Sequence, residues 1–216
     1  EQGKALPNAG AYKDYFRWVA TGLEEPMTTH ADRFKYNTGY GMSAYDKGSI
    51  FLSQLQYVIG KENFDNTLKR YFDDWSFKHP KPNDFIRSAE KVSGLELDWY
   101  LLDWAQSTMT IDYSVNSVYG VENKTKIVLK RIGQMGMPID LKVLLRSGES
   151  LDYNIPMTKM RGSKPVENST LLDSWSWAKP YYEFWIDVDS DSISKIIIDP
   201  KNEMADINRD NNSLNL

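Results

Sequence analysis

A chain of 216 residues can bury a real core and has room for one large domain or two of ordinary size, of which two is our reading. Its formal charge of -4 spreads lysines and arginines among carboxylates, which leaves no basic footprint for nucleic acid. The absence of cysteine removes disulfides, thiol nucleophiles and thiolate metal sites, and no stretch approaches the ~20 apolar residues of a membrane span.

In chain order, Glu1 to Ala9 carry Gly3, Pro7 and Asn8 and read as a lead-in. From about Gly10 to Leu23, Tyr12, Tyr15, Phe16, Val19 and Leu23 recur at helical spacing, and Glu25-Pro26 ends that helix. Met27 to Met42 has no sustained period and reads as a long polar loop, a type of segment that tends to carry function. Ser43, followed three residues later by Asp46, predicts a capping box with helix from about Ala44. Phe51, Leu52, Leu55, Val58 and Ile59 then form one apolar stripe until Gly60 stops it.

Asn63 is a predicted cap for a helix whose Phe64, Leu68, Tyr71, Phe72 and Trp75 fall on one face, expected to be buried. Lys81-Pro82-Asn83 marks a turn and cap before Phe85, Ile86, Ala89 and Val92, with Gly94 as the stop. Leu97, Tyr100, Leu101 and Trp104 suggest one more helix. Near Thr110 the period changes from helical to alternating. Ile127 and Leu129, then Ile139 to Leu145, Tyr182 to Val188 and Ile193 to Ile198 read as strands with one face buried. The predicted fold class is therefore α+β in two lobes: an all-α helical lobe, residues 1–112, followed by an antiparallel β-sandwich, residues 113–209. The Asn- and Asp-rich residues 210–216 are expected to be a flexible tail.

Tyr45 stands in the first turn of the predicted helix, at an open end where a phenol can reach a ligand, and Gly48 leaves room for a close neighbour. The other reading makes it a packing residue whose hydroxyl finds a backbone partner. His30, in a loop with Asp32, is a candidate acid, base or substrate contact, or a hydrogen-bonded structural residue. His79 reads as exposed and structural. Catalytic zinc needs about three protein ligands, and two separated histidines do not supply them. No active-site zinc is expected in this chain. Glu24-Glu25 and Asp73-Asp74 read as solvated carboxylates. Trp175 and Trp177, two apart, would share a face on a strand, either packed or as a stacking platform for sugar or peptide.

The run Ala44-Tyr45-Asp46-Lys47-Gly48-Ser49, with Phe51-Leu52, Leu55, Ile59-Gly60, Phe64, Tyr71, Trp75-Ser76-Phe77-Lys78-His79-Pro80 and Asp84-Phe85, resembles the zinc aminopeptidases of the aminopeptidase N type, the gluzincins. In that family a Tyr-x-Lys-Gly element follows the zinc-binding helices and its tyrosine donates to the oxyanion of the tetrahedral intermediate. The resemblance implies that Tyr45 is catalytic, and that Tyr40, five residues earlier, lines the substrate wall. His30 is a further candidate substrate contact. The β half is similar to the sandwich that follows the catalytic domain in these enzymes, through Gly136-Met137-Pro138, Trp175-Ser176-Trp177 and Asp199-Pro200.

The family's H-E-x-x-H helix, third-ligand glutamate and Gly-x-Met-Glu-Asn strand are missing from the sequence; His30 is followed by Ala31-Asp32. By resemblance the chain is a C-terminal fragment of a metalloaminopeptidase. It would act on peptide substrates together with the missing N-terminal part of the same enzyme, which would hold the zinc. The fragment alone is expected to be inactive and to bind no zinc. Export to a periplasmic or extracellular location is favoured over the cytoplasm. The alternative from another class is a non-catalytic peptide- or carbohydrate-binding module built on the Trp175/Trp177 face.

Overall fold

A computed structural model of the chain describes residues 8–216, so most of the predicted lead-in lies outside the described residues. The chain is α+β and divides into two compact units. One holds the described residues up to Met109 together with Asn202–Ala205, and the other holds Thr110–Lys201 and Asp206–Leu216.

The first unit is helical: α1 (Ala9–Ala20), α2 (Asn37–Gly41), α3 (Lys47–Ile59), α4 (Lys61–Trp75), α5 (Pro82–Ser93) and α6 (Asp98–Ala105). Its core is built from the apolar stripes, with Ile50, Leu55, Ile86, Leu97, Tyr100 and Trp104 all buried. Two glycines stop helices by taking positive φ: Gly60 at 85° after α3 and Gly94 at 71° after α5. At the start of α5, Pro82 occupies the first helical position and Asp84 accepts from the Lys81 amide at 2.7 Å.

Two predicted helix features differ. Asn63 does not cap α4, because the helix already begins at Lys61 and the Asn63 side chain donates through Nδ2 to the Ile59 carbonyl at 2.9 Å. The face expected to be buried along α4 is only partly covered: Phe64 and Thr67 are buried, Tyr71 meets Phe85 edge-on at 5.1 Å, but Leu68 and Phe72 are exposed. One neighbouring helix covers about one stripe, and the α5 contact uses the Tyr71 side of α4.

The second unit is a β-sandwich of a three-stranded sheet, order β1-β2-β6, and a five-stranded sheet, order β5-β4-β3-β7-β8. The strands are β1 (Tyr113–Val121), β2 (Lys124–Arg131), β3 (Ile139–Leu145), β4 (Ser150–Ile155), β5 (Thr170–Leu171), β6 (Tyr181–Ile186), β7 (Ile193–Ile198) and β8 (Ser213–Asn215). Every pairing is antiparallel except the two-residue β4–β5 contact. Ile127, Leu129, Ile139, Leu141, Val143, Phe184, Ile186, Ile196 and Ile198 point inward and are buried, at the two-residue period of strands.

The tail expected to fray is ordered into this sheet. Ser213–Asn215 pairs with Lys195–Ile197, and the Ile198 amide donates to the Asn212 carbonyl at 2.8 Å. A polar segment can serve as an edge strand, because the ladder is made by backbone groups and not by side chains. The expectation of one continuous sandwich from 113 to 209 also changes, since Asn202–Ala205 groups with the helices. There the buried Gln54 donates to the Glu203 carbonyl at 2.8 Å and accepts from the Ala205 amide at 3.0 Å, while the Tyr12 hydroxyl donates to the same carbonyl at 2.6 Å.

A candidate active-site element on a wide helical turn

Helix begins seven residues earlier than the sequence predicts. Asn37–Gly41 is already α-helical, and Met42–Asp46 continues it as a π-turn closed by the Lys47 amide donating to the Met42 carbonyl, five residues back. The Ser43/Asp46 capping box therefore does not form. Ser43 is buried, and its hydroxyl donates at 3.5 Å to the Glu25 carbonyl instead. Gly39 and Gly41 read as loop signals, yet Gly39 is helical for a packing reason: a Cβ there would lie 3.2 Å from Trp18 Cζ2 of α1. Gly48, by contrast, has no neighbour closer than the Ser43 carbonyl oxygen, 3.9 Å from where its Cβ would be, so no close approach among the described residues requires it.

Tyr45 lies within the π-turn and is 76% exposed. Tyr40 is also exposed and stands edge-on to Phe34 at 5.6 Å. In an α-helix, residues five apart differ by roughly 140° around the axis. A turn closed from i to i+5 brings them closer to one side. The closure here runs from Met42 to Lys47, so it alters the angle between Tyr40 and Tyr45, both exposed on the continuous helix, without itself joining them. Asp46 beside them has its carboxyl raised above the usual range, by partial burial first and the nearby Asp14 second.

His30 belongs to a different piece of local structure. It precedes a short 3₁₀ turn, Ala31–Arg33, and its Nδ1 accepts from the Asp32 amide at 3.3 Å and lies 3.6 Å from Asp32 Oδ2. Its side chain is exposed and is committed to capping its own turn. His79 is exposed in the segment between α4 and α5. Among the described residues no three His, Cys, Asp or Glu side chains converge to hold a metal ion, so the residues here do not fit a zinc site.

Sequence reasoning passed over the pair Glu24 and Lys47. Glu24 is not a solvated carboxylate: its side chain is 5% exposed, and Oε1 sits 2.6 Å from Lys47 Nζ, itself 3% exposed. Lys47 Nζ also donates to the Ser107 carbonyl at 3.1 Å. A cation near the N-terminal end of a helix opposes the helix dipole. In the helix predicted from about Ala44, Lys47 falls in the first turn, and that placement is the signal in the sequence that an acid could answer it. Burial first, and the Glu24 charge second, push the Tyr15 phenol well above its usual range.

The two tryptophans separate. Trp175 is buried, bridges to Met157 and donates through Nε1 to the Lys179 carbonyl, whereas Trp177 is 53% exposed beneath Lys159 Nζ at 4.7 Å. They do not share a strand face, because Trp175 makes an isolated bridge and no strand runs through to Trp177.

Residues 14–104 match the peptidase family M1 domain. Glutamyl aminopeptidase of Rattus norvegicus is 32% identical over 83 residues, which cover 38% of this chain and 8% of that protein. Aminopeptidase N of Escherichia coli (strain K12) is 25% identical over 71 residues, covering 33% of this chain and 8% of that protein. The crystal structure of Legionella pneumophila aminopeptidase A in complex with aspartic acid is similar with a TM-score of 0.53 and 17% identity, over 78% of this chain and 18% of that one. At that identity the structural likeness concerns the fold. The aligned stretches span under a tenth of the length of the two curated relatives.

Proposed function

We propose that the chain serves in a metalloaminopeptidase that removes N-terminal residues from peptides, a reading supported by the match of residues 14–104 to the peptidase family M1 domain. Its contribution is the Tyr45 phenol. When water adds to a scissile carbonyl, the carbonyl oxygen gains charge as the carbon becomes tetrahedral. A positioned O–H that donates to this oxygen stabilises the transition state more than the substrate. The observation that carries the reading is an exposed phenol held on a π-turn inside the M1 match, the kind of helical irregularity often found at functional sites.

Tyr40, exposed on the same helix, is assigned to the substrate wall. His30 is a weaker substrate contact because its ring already caps its own turn. Zinc, implied by the family, would be held by residues elsewhere in the enzyme, since those described here do not converge on a metal. It would supply polarisation of the carbonyl and of water. The 216-residue chain alone is then inactive.

Release of chromophore from aminoacyl p-nitroanilides tests this. The full-length enzyme should turn such substrates over, and the isolated chain should not. Comparable turnover by the isolated chain would contradict the proposal.

A further inference from the structure

We propose that Lys47 and Glu24 form a buried clamp that fixes the π-turn, making Lys47 a positioning residue for the Tyr45 phenol; this rests on the function proposed above. Ser43 and Lys47 flank Tyr45 and fasten to consecutive residues of the segment after α1. Ser43 donates to the Glu25 carbonyl at 3.5 Å, and Lys47 Nζ sits 2.6 Å from Glu24 Oε1. Lys47 reaches a third anchor, the Ser107 carbonyl just past α6, at 3.1 Å. The segment that receives these contacts is itself fixed. Glu25 Oε2 accepts from the Lys35 amide at 3.1 Å, and the Thr28 amide donates to the Ala105 carbonyl at 3.1 Å.

A π-turn is a wide and uncommon closure, with one residue more in the ring than an α-turn. Left alone, it can relax to α-helix by moving that residue out of the turn. Such a shift would rotate Tyr45 around the helix axis. Anchoring side chains on both sides of Tyr45, one of them by a desolvated charge pair, removes that freedom. Among the described residues no such tie holds the phenol itself, which remains exposed. The clamp grips the backbone and leaves the hydroxyl free to meet a charge that develops only during reaction.

Two measurements test the clamp. In the 216-residue chain labelled with 3-fluorotyrosine, the Tyr45 signal is identified by its loss in Tyr45→Phe. It should be one sharp resonance, and should broaden or split in Lys47→Met while the signal of Tyr153, in the other unit, stays unchanged. If Lys47→Met does not fold, Glu24→Gln neutralises the same pair with little change of shape and should give the same result. In the full-length enzyme, Lys47→Met should lower kcat about tenfold with KM within about twofold, and should cost less than about twofold when added to Tyr45→Phe. An unchanged Tyr45 resonance overturns the clamp, as does a tenfold loss that persists in the Tyr45→Phe background. If Tyr45→Phe alone leaves kcat intact, the proposed function falls and the resonance by itself decides the clamp.

Discussion

Asp206 is a buried carboxylate that gathers backbone and side-chain donors within the sandwich. It accepts from the Tyr113 amide at 2.9 Å and the Asn208 amide at 2.9 Å, and the Asn212 amide group, oriented to donate, reaches it at 3.1 Å. Burial nevertheless pushes its carboxyl up to about 7, with Asp112 adding to the rise and the three donors opposing it. An acid with a folded value above its unfolded value of about 3.9 binds the extra proton in the folded state. Its contribution to stability is therefore complete below pH about 4 and is lost as pH rises toward 7. Urea midpoints measured from pH 4 to 8 should show this decline, and Asp206→Asn should flatten it relative to the parent chain. Tyr45 and Glu24 show what single residues reveal in sequence. Tyr45 is singled out in the sequence by the Tyr-x-Lys-Gly motif it stands in. Glu24 was not, because adjacent carboxylates usually face water and its partner lies 23 positions away.

Among the elements, helices with regular stripes and glycine stops were readable, and those with a local irregularity were not. The segment before Tyr45 reads as loop because Gly39 and Gly41 weaken helix, yet Gly39 is there to admit the Trp18 ring. A capping-box pattern at Ser43 and Asp46 then suggests a start where the structure has a π-turn, and short sequence patterns do not distinguish the two. In β1 a bulge between Val115 and Ser117 breaks the two-residue alternation, so that strand carried a weaker signal than β3 or β6. Gly94 offers a clean test of a stop. Its φ is 71°, and a Cβ there would meet nothing within 4 Å, so Gly94→Ala changes only backbone strain. The substitution should cost about 1 kcal/mol in a urea titration. A neutral result would mean that α5 ends equally well without left-handed geometry.

For the molecule as a whole, the change of period near Thr110 made two architectures legible, while the return of Asn202–Ala205 to the helical unit was invisible. Four residues carry no period, and their partner Gln54 sits on α3 at a distance of about 150 positions, read from its bond to Ala205. Gln54→Leu would leave the Ala205 amide without its acceptor and remove one donor from the Glu203 carbonyl. We expect a loss of about 1–3 kcal/mol and faster hydrogen exchange at Ala205. Unchanged exchange there would show that Gln54 does not hold the segment. The proposal that this chain brings a transition-state phenol to an M1 aminopeptidase is tested most directly by the steady-state kinetics of Tyr45→Phe in the full-length enzyme. Loss of a hydrogen bond made only in the transition state should lower kcat on the order of a hundredfold, with KM little changed. A near-normal kcat would return Tyr45 to the surface of a helix with no part in the chemistry.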